Sequence, residues 1–199
     1  MKFYRLKNIL KHGAQYNIIF GERSNGKTFA VLEYAIENYC KTGKQLALVR
    51  RWDEDFKGKR GQTMFDGVVS EGVVKRASNG EWTGVFYYAS KWYLCRYENN
   101  ERIVDENPFA YGFSITAMEH DKSTSYPNIG IILFDEFLTR TVYLPDEFIL
   151  FCNVISTIVR HRNDVIIFML GNSVNKYCPY FDEMGIKSYN NKKKSTNLL

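Results

Sequence analysis

Gly21-Glu22-Arg23-Ser24-Asn25-Gly26-Lys27-Thr28 fits the pattern G-x-x-x-x-G-K-[ST] at every fixed position, the spelling of a phosphate-binding loop. Gly21 and Gly26 let the backbone curl without Cβ clashes, so the N–H groups from Glu22 to Asn25 can turn inward on an anion. Lys27 is expected to reach the β- and γ-phosphates of a nucleotide as a point charge, with the Thr28 hydroxyl on Mg²⁺. A pattern this short needs its setting. Upstream, Tyr16-Asn17-Ile18-Ile19-Phe20 reads as a short buried strand; downstream, Phe29, Leu32, Ala35, Ile36 and Tyr39 fall at helical spacing. Strand, glycine loop and helix form the required order, and the helix N-terminus adds its partial positive charge beneath the phosphates.

Working outward, Gly43 is placed to end that helix, and Gln45-Leu46-Ala47-Leu48-Val49 reads as a second buried strand that delivers Arg50 and Arg51 at its tip. The resulting βαβ unit predicts an α/β fold with a mainly parallel sheet and helices on both faces. Ahead of it, Met1 to Gln15 reads as a basic lead-in, with a helix that turns Tyr4, Ile9 and Leu10 inward. From Trp52 to Gly72 the texture changes, and Lys57-Gly58-Lys59-Arg60-Gly61 reads as a flexible basic loop. Segments 83–88, 91–97 and 102–104 then read as strands of an antiparallel aromatic insert spanning about 80–116, whose aromatics are expected to form a small core of their own. A further strand at 109–116 returns to the main core. Ile129-Gly130-Ile131-Ile132-Leu133-Phe134 is apolar almost throughout, as a strand buried on both faces requires. A helix carrying Phe148, Phe151, Cys152, Ile155, Ile158 and Val159 follows, then a buried strand over 165–170. Residues 1–190 read as one domain and 191–199 as a polar, lysine-rich tail.

Composition bounds the partners. The chain has 199 residues, 45% of them hydrophobic, enough for one domain with a real core. Its 27 basic against 22 acidic residues permit a polyanion partner without demanding one. Cys40, Cys95, Cys152 and Cys178 form no C-x-x-C pair, so reduced thiols are expected rather than disulfides or zinc. Met1 to Lys11 alternates charged and apolar residues, unlike a signal peptide, and no apolar run nears the roughly 20 residues of a membrane helix. A soluble, intracellular protein is expected.

The second half of a nucleotide site is Asp135-Glu136, at the end of the apolar strand. Asp135 is expected to bind Mg²⁺ through water opposite Thr28. Glu136, one step beyond, is placed to polarise an attacking water as general base, a group that a hydrolase needs. Asn172, at the tip of the last strand, is either a γ-phosphate sensor or a loop asparagine in an Asx-turn. No N-K-x-D guanine reader occurs, since Asn175-Lys176-Tyr177-Cys178 lacks the Asp, so ATP is expected over GTP. For transition-state charge, Arg23 lies within the loop and can act in cis. Arg160, with Arg162 as its alternative, can act in trans on a neighbour's γ-phosphate; either can equally serve the helix macrodipole.

These words, in this order, resemble a family. Gly21-x-Arg23-x-x-Gly26-Lys27-Thr28, Ser123-x-x-Tyr126-Pro127-Asn128 and Ile131-Ile132-Leu133-Phe134-Asp135-Glu136-Phe137 are followed by Ser156-Thr157-Ile158-Val159-Arg160-His161-Arg162, Gly171-Asn172 and Tyr177-Cys178-Pro179-Tyr180-Phe181. The set resembles the ATPase domain of tailed-phage DNA-packaging motors, in the encapsidation-protein branch related to the large terminase subunit. The resemblance implies a P-loop NTPase of the additional-strand catalytic-glutamate (ASCE) type. It implies a homo-oligomeric ring, pentameric in this branch, that uses ATP and Mg²⁺ to drive double-stranded DNA into a procapsid. Arg23 matches the loop arginine of the terminases, and Arg160 lies where this branch carries its trans-acting finger. Implied partners are the phage portal or connector and, in some relatives, a packaging RNA; the implied location is the cytoplasm of an infected bacterium, transiently docked on the procapsid. Packaging ATPases normally continue into a nuclease-like domain, for which this chain has no room. The expectation is therefore either an isolated ATPase domain, with Asn190 to Leu199 as a linker stub, or an unusually short protein.

DNA contact is a separate matter. Lys57, Lys59, Arg60 and Lys122 are the candidate phosphate contacts, which need cations but no reading of bases. The rival readings are another P-loop DNA motor, helicase-like or conjugative, and a nucleotide-gated assembly protein that binds ATP without cycling.

Overall fold

In the computed structural model, residues 4–117, 124–139, 142–172 and 178–186 are described. In chain order the elements are α1 (Lys7–Leu10), β1 (Tyr16–Gly21), α2 (Lys27–Thr42), β2 (Gln45–Arg50) and a single 3₁₀ turn (Asp53–Phe56). Three short helices follow, α3 (Gly58–Gln62), α4 (Asp66–Ser70) and α5 (Val73–Ala77), then β3 (Gly84–Tyr88), β4 (Lys91–Glu98), β5 (Glu101–Val104) and β6 (Ala110–Ser114). The chain closes with β7 (Ile129–Asp135), α6 (Glu147–Val159), β8 (Ile166–Asn172) and α7 (Pro179–Glu183).

The strands form one eight-stranded sheet in the order β1-β8-β7-β2-β6-β4-β3, with β5 on β4. From β1 to β6 every neighbour is parallel. One strand, β8, therefore lies between the strand that feeds the glycine loop and the strand that ends in Asp135.

Strand periodicity divides the core in two. Side chains alternate across a strand, so Ile19, Leu46, Leu48, Ile131, Leu133, Phe168 and Leu170 face α2, α4 and α5, which contribute Val31, Ile36, Val68 and Val74. Their neighbours Ile18, Ala47, Val49, Ile132, Phe134, Ile167 and Met169 face α6 and α7, which contribute Phe151, Val154, Ile158 and Tyr180. Leu48, Ile132 and Phe134 are fully buried, each worth about 1.5–3 kcal/mol relative to exposure. On α2 the buried stripe is Ala30, Val31, Leu32, Ala35 and Ile36; Phe29 is half-buried against the same core and also lines a cleft at the helix start. Gly43 ends α2 in the left-handed region at φ 72°, its N–H donating to the Tyr39 carbonyl at 2.8 Å.

The aromatic insert extends the main sheet rather than enclosing a small core of its own. β4 runs antiparallel to β6, pairing Trp92 with Ala110, and β3 and β5 flank it antiparallel. Trp92 is fully buried in the α2-side core, against the rings of Phe56, Phe65 and Tyr87. Its indole N–H donates to the Gly61 carbonyl at 2.8 Å. That bond corrects the reading of Lys57–Gly61 as a flexible loop. The segment joins a 3₁₀ turn to α3 and is pinned on the insert, because Trp92 and Phe56 need apolar cover and the indole needs an acceptor.

The carboxyl ends of β1, β8, β7 and β2 converge on one edge, where open α/β sheets bind their ligands. Among the described residues, no helix is long and apolar enough to cross a membrane.

Candidate nucleotide site

The glycine loop leaves β1 at Gly21 and enters α2 at Lys27. Gly26 takes φ 81° and Ser24 φ 60°, a left-handed curl that a Cβ at position 26 would strain. The curl turns the loop back on the Lys27 side chain. Its ammonium donates to the Glu22 carbonyl at 2.8 Å, to Asn25 Oδ1 at 3.0 Å, to the Gly21 carbonyl at 3.4 Å and to Asn172 Oδ1 at 3.5 Å. Burial pushes the Lys27 pKa down, with the Asp135 charge working against the shift.

Parallel pairing places Gly21 beside Asn172 and Asp135 beside Leu170, which brings the glycine loop and Asp135 to one edge. Thr28 Oγ1 donates to Asp135 Oδ1 at 3.2 Å. Desolvation raises the Asp135 pKa, while Arg50 and the Thr28 bond pull it down. Arg50 donates to Asp135 Oδ2 at 2.7 Å and to Glu136 Oε2 at 3.1 Å, so one guanidinium bridges both carboxylates. The Glu136 side chain is 59% exposed and its backbone is left-handed at φ 62°. Next to it, Gly171 permits a close approach: a Cβ there would lie 2.7 Å from Leu138 Cδ1. The cleft between these parts measures about 310 Å³ and is lined by the loop from Arg23 to Thr28, by Asp135 and Glu136, and by Asn172.

The donors suit Mg²⁺. A hydroxyl and a buried carboxylate meeting at 3.2 Å are hard oxygen ligands, and Mg²⁺ takes its remaining ligands from water and phosphate. It therefore needs no cluster of three metal-ligating side chains, and none occurs among the described residues.

Arg50 and Arg51 carried no assigned role in the sequence, though two arginines closing a buried strand were the available signal. Strand alternation sends them to opposite faces. Arg50 enters the cleft. Arg51, 8% exposed, binds the fully enclosed Glu147 through two bonds of 2.8 and 2.7 Å. It also donates to the carbonyls of Glu136 at 3.4 Å and Phe137 at 3.1 Å. The Tyr180 hydroxyl donates to Glu147 Oε1 at 2.9 Å and the Leu144 N–H to Oε2 at 2.8 Å. Burial, with the Glu147 carboxylate beside it, pushes the Tyr180 pKa far up.

Arg160 and Arg162 lie elsewhere. They follow α6 near the start of β8, a strand whose length puts them about 20 Å from the cleft at its other end. Arg160 is exposed and donates to the Thr124 carbonyl at 2.8 Å. The Arg162 guanidinium is held by the carbonyls of Tyr126, Pro127, Ile158 and Val159. Among the DNA candidates, Lys57 pairs with Asp53 at 2.6 Å and Glu54 at 3.7 Å, and Arg60 with Asp55 at 3.5 Å. Lys59 makes no ion pair among the described residues, and Lys122 lies outside them.

At 27% identity over 187 residues, the chain is similar to the DNA packaging protein of Bacillus phage phi29, covering 90% of this chain and 49% of that relative. It thus spans about half that relative's length. In fold it is similar to the N-terminal domain of the DNA packaging ATPase from bacteriophage phi29, with a TM-score of 0.75, 24% identity, and 92% and 86% of the two chains covered. The large terminase ATPase domain of Thermus phage P74-26 gives a TM-score of 0.57 at 16% identity, covering 98% of this chain and 73% of that one. The model of the podovirus DNA encapsidation protein (Gp16) family matches residues 1–72 and 99–197, passing over the segment that holds α5, β3 and β4. With that match over most of its length, the chain belongs to the podovirus DNA encapsidation protein (Gp16) family.

Proposed function

We propose that the chain is the ATPase part of a ring motor, of the ASCE type, that hydrolyses ATP to drive double-stranded DNA into a viral procapsid. The observation that carries the hydrolytic reading is the meeting of Lys27, Thr28, Asp135 and Glu136 on one cleft. The single strand between the loop strand and the Asp135 strand supports the ASCE assignment.

In this reading the loop amides and Lys27 bind the β- and γ-phosphates, a helix N-terminus standing beneath them. Thr28 and Asp135 hold Mg²⁺, which when bound neutralises phosphate charge. Glu136 takes a proton from water as its oxygen attacks the γ-phosphorus and the bond to the ADP oxygen breaks. Arg50 occupies Glu136 Oε2 at 3.1 Å, so that ion pair opens to free the oxygen before the proton moves. Arg23, lining the cleft, and Asn172, against Lys27, are the groups in reach of the γ-phosphate in cis. Arg160 is assigned to a neighbour's site in this reading, supported by its exposure and its distance of about 20 Å from its own cleft along β8; the four carbonyl bonds of Arg162 favour Arg160 for that role.

In this reading the ring is homo-oligomeric and pentameric and works with duplex DNA, a portal and a packaging RNA, as the family resemblance implies. The same resemblance implies its place in the infected bacterium, docked on the procapsid. Lys59 is the cation best left for DNA phosphate contact, since Lys57 and Arg60 are already paired to acids.

The test is Glu136→Gln. Nucleotide binding should persist while hydrolysis falls by roughly 10²–10⁴-fold; unchanged turnover rejects Glu136 as base. Duplex DNA should stimulate the unmodified protein, less at higher salt, whereas unwinding of a forked duplex would place it among helicase-like motors.

A further inference from the structure

Glu136 faces the cleft in a backbone conformation that glutamate rarely adopts, φ 62°. Such a conformation persists only where the surroundings over-determine it. Here the peptide following Glu136 is held from two sides. The Phe137 N–H donates to the Leu170 carbonyl at 3.1 Å, tying the chain to β8 two residues past the end of β7. On the other face, the Arg51 guanidinium donates to the carbonyls of Glu136 and Phe137. Arg51 is itself immobilised: Glu147 takes two of its N–H groups, and Tyr180 and the Leu144 N–H occupy the remaining positions on that carboxylate. The Tyr143 ring, 5.6 Å from the guanidinium carbon, adds a further contact.

Stability alone does not explain this cluster, since a buried ion pair can often be exchanged for apolar residues of like volume without loss. What apolar residues cannot supply is a set of fixed donors aimed at two consecutive carbonyls beside the proposed general base. From this we infer that Arg51, Glu147 and Tyr180 are positioning residues for ATP hydrolysis: a buried clamp that holds the Glu136 backbone so that its carboxylate points into the cleft. The inference rests on the ATPase reading above. None of the three clamp residues lines the cleft, so the clamp governs the rate of the chemical step and leaves nucleotide affinity alone.

The experiment is a double-mutant cycle on the full chain. Single-turnover hydrolysis of γ-labelled ATP is read for Arg51→Lys and Tyr180→Phe, each alone and combined with Glu136→Gln, together with Mg-nucleotide affinity and melting temperature. Arg51→Lys keeps the charge but loses the fork that reaches both carbonyls and both carboxylate oxygens. It is expected to lower the saturated rate about tenfold or more with affinity unchanged, since small displacements of a catalytic group are this expensive. Tyr180→Phe should do the same to a smaller degree. Combined with Glu136→Gln, neither change should lower the residual rate further, because there is then no base to aim.

Equal fractional losses in both backgrounds would show a merely structural cluster and overturn the proposal, as would a folded Arg51→Lys protein that keeps its full rate. Should Arg51→Lys fail to fold, the Tyr180→Phe cycle decides by the same criterion. If the unmodified chain does not turn over ATP, or Glu136→Gln turns over at the unmodified rate, the ATPase reading has failed and the clamp falls with it. Loss confined to the clamp variants cannot arise that way, so the two failures are told apart.

Discussion

Two arginines adjacent in the chain end β2, and each is paired to acids, yet the two surroundings differ in kind. Arg50 bridges a buried and a largely exposed carboxylate at the lip of the cleft, with side-chain exposures of 7% for Asp135 and 59% for Glu136. Arg51 sits in a network with the buried Glu147, Tyr180 and Phe137 carbonyl, and only its bond to the Glu136 carbonyl lies at the edge. Water can take over one arm of the Arg50 bridge, so that pair can open and close. Nothing can replace the partners of Arg51 without leaving a buried charge. The difference teaches that a strand end can supply a movable contact on one face and a fixed one on the other.

Truncation should expose the contrast most strongly. Arg51→Ala leaves the Glu147 carboxylate buried and uncompensated, and is expected to destabilise the fold by about 3–5 kcal/mol in urea denaturation. Arg50→Ala should cost less, about 1–3 kcal/mol. Glu136 simply becomes hydrated and Asp135 can take up a proton. Equal losses for the two would abolish the distinction.

A pH titration sharpens it. Burial raises the Asp135 pKa above its ordinary 3.8, the charge of Arg50 notwithstanding. The native state then binds this proton more tightly than the unfolded chain does. This group's contribution to stability is therefore full below pH 3.8 and falls as pH rises through the raised native value. Asp135→Asn should remove that fall, measured as the difference between the two stability–pH curves, and should weaken Mg²⁺-dependent nucleotide binding at neutral pH. Curves that stay parallel would contradict the burial argument.

The smallest effect belongs to the surface. Lys59→Ala should weaken duplex binding modestly and reduce the slope of log affinity against log salt by about 1. Lys57→Ala should change the slope less, because Asp53 already neutralises that cation.

Much of the fold was legible because its signals are local. The apolar run Ile129–Phe134 became β7, and the run at 45–49 became β2 with Arg50 added at its end. The helix read from Phe148 begins one residue earlier, at Glu147. The helices α3 to α5 were not anticipated. Each has five residues, too few for a helical period to register, and they hold their shape by packing against Trp92 and α2. The aromatics of the insert were recognised, but their destination was not, since period-2 alternation says which residues share a face and not which core that face meets.

What the sequence determined by itself is the pair of words that define the cleft, Gly21 to Thr28 and Asp135-Glu136. A glycine curl and an apolar strand ending in carboxylates are encoded within a few consecutive residues, and their chemistry follows from residue type and spacing. Only the tertiary structure decided which charges are spent and which are available. It joined Arg50 to Asp135 across 85 positions and Arg51 to Glu147 across 96, tied Arg162 to backbone carbonyls, and neutralised Lys57 and Arg60. An ion pair is a property of distance and solvent exclusion, and it takes the pairing of the sheet and the packing of α6 on it to bring residues so far apart in the chain to within 3 Å.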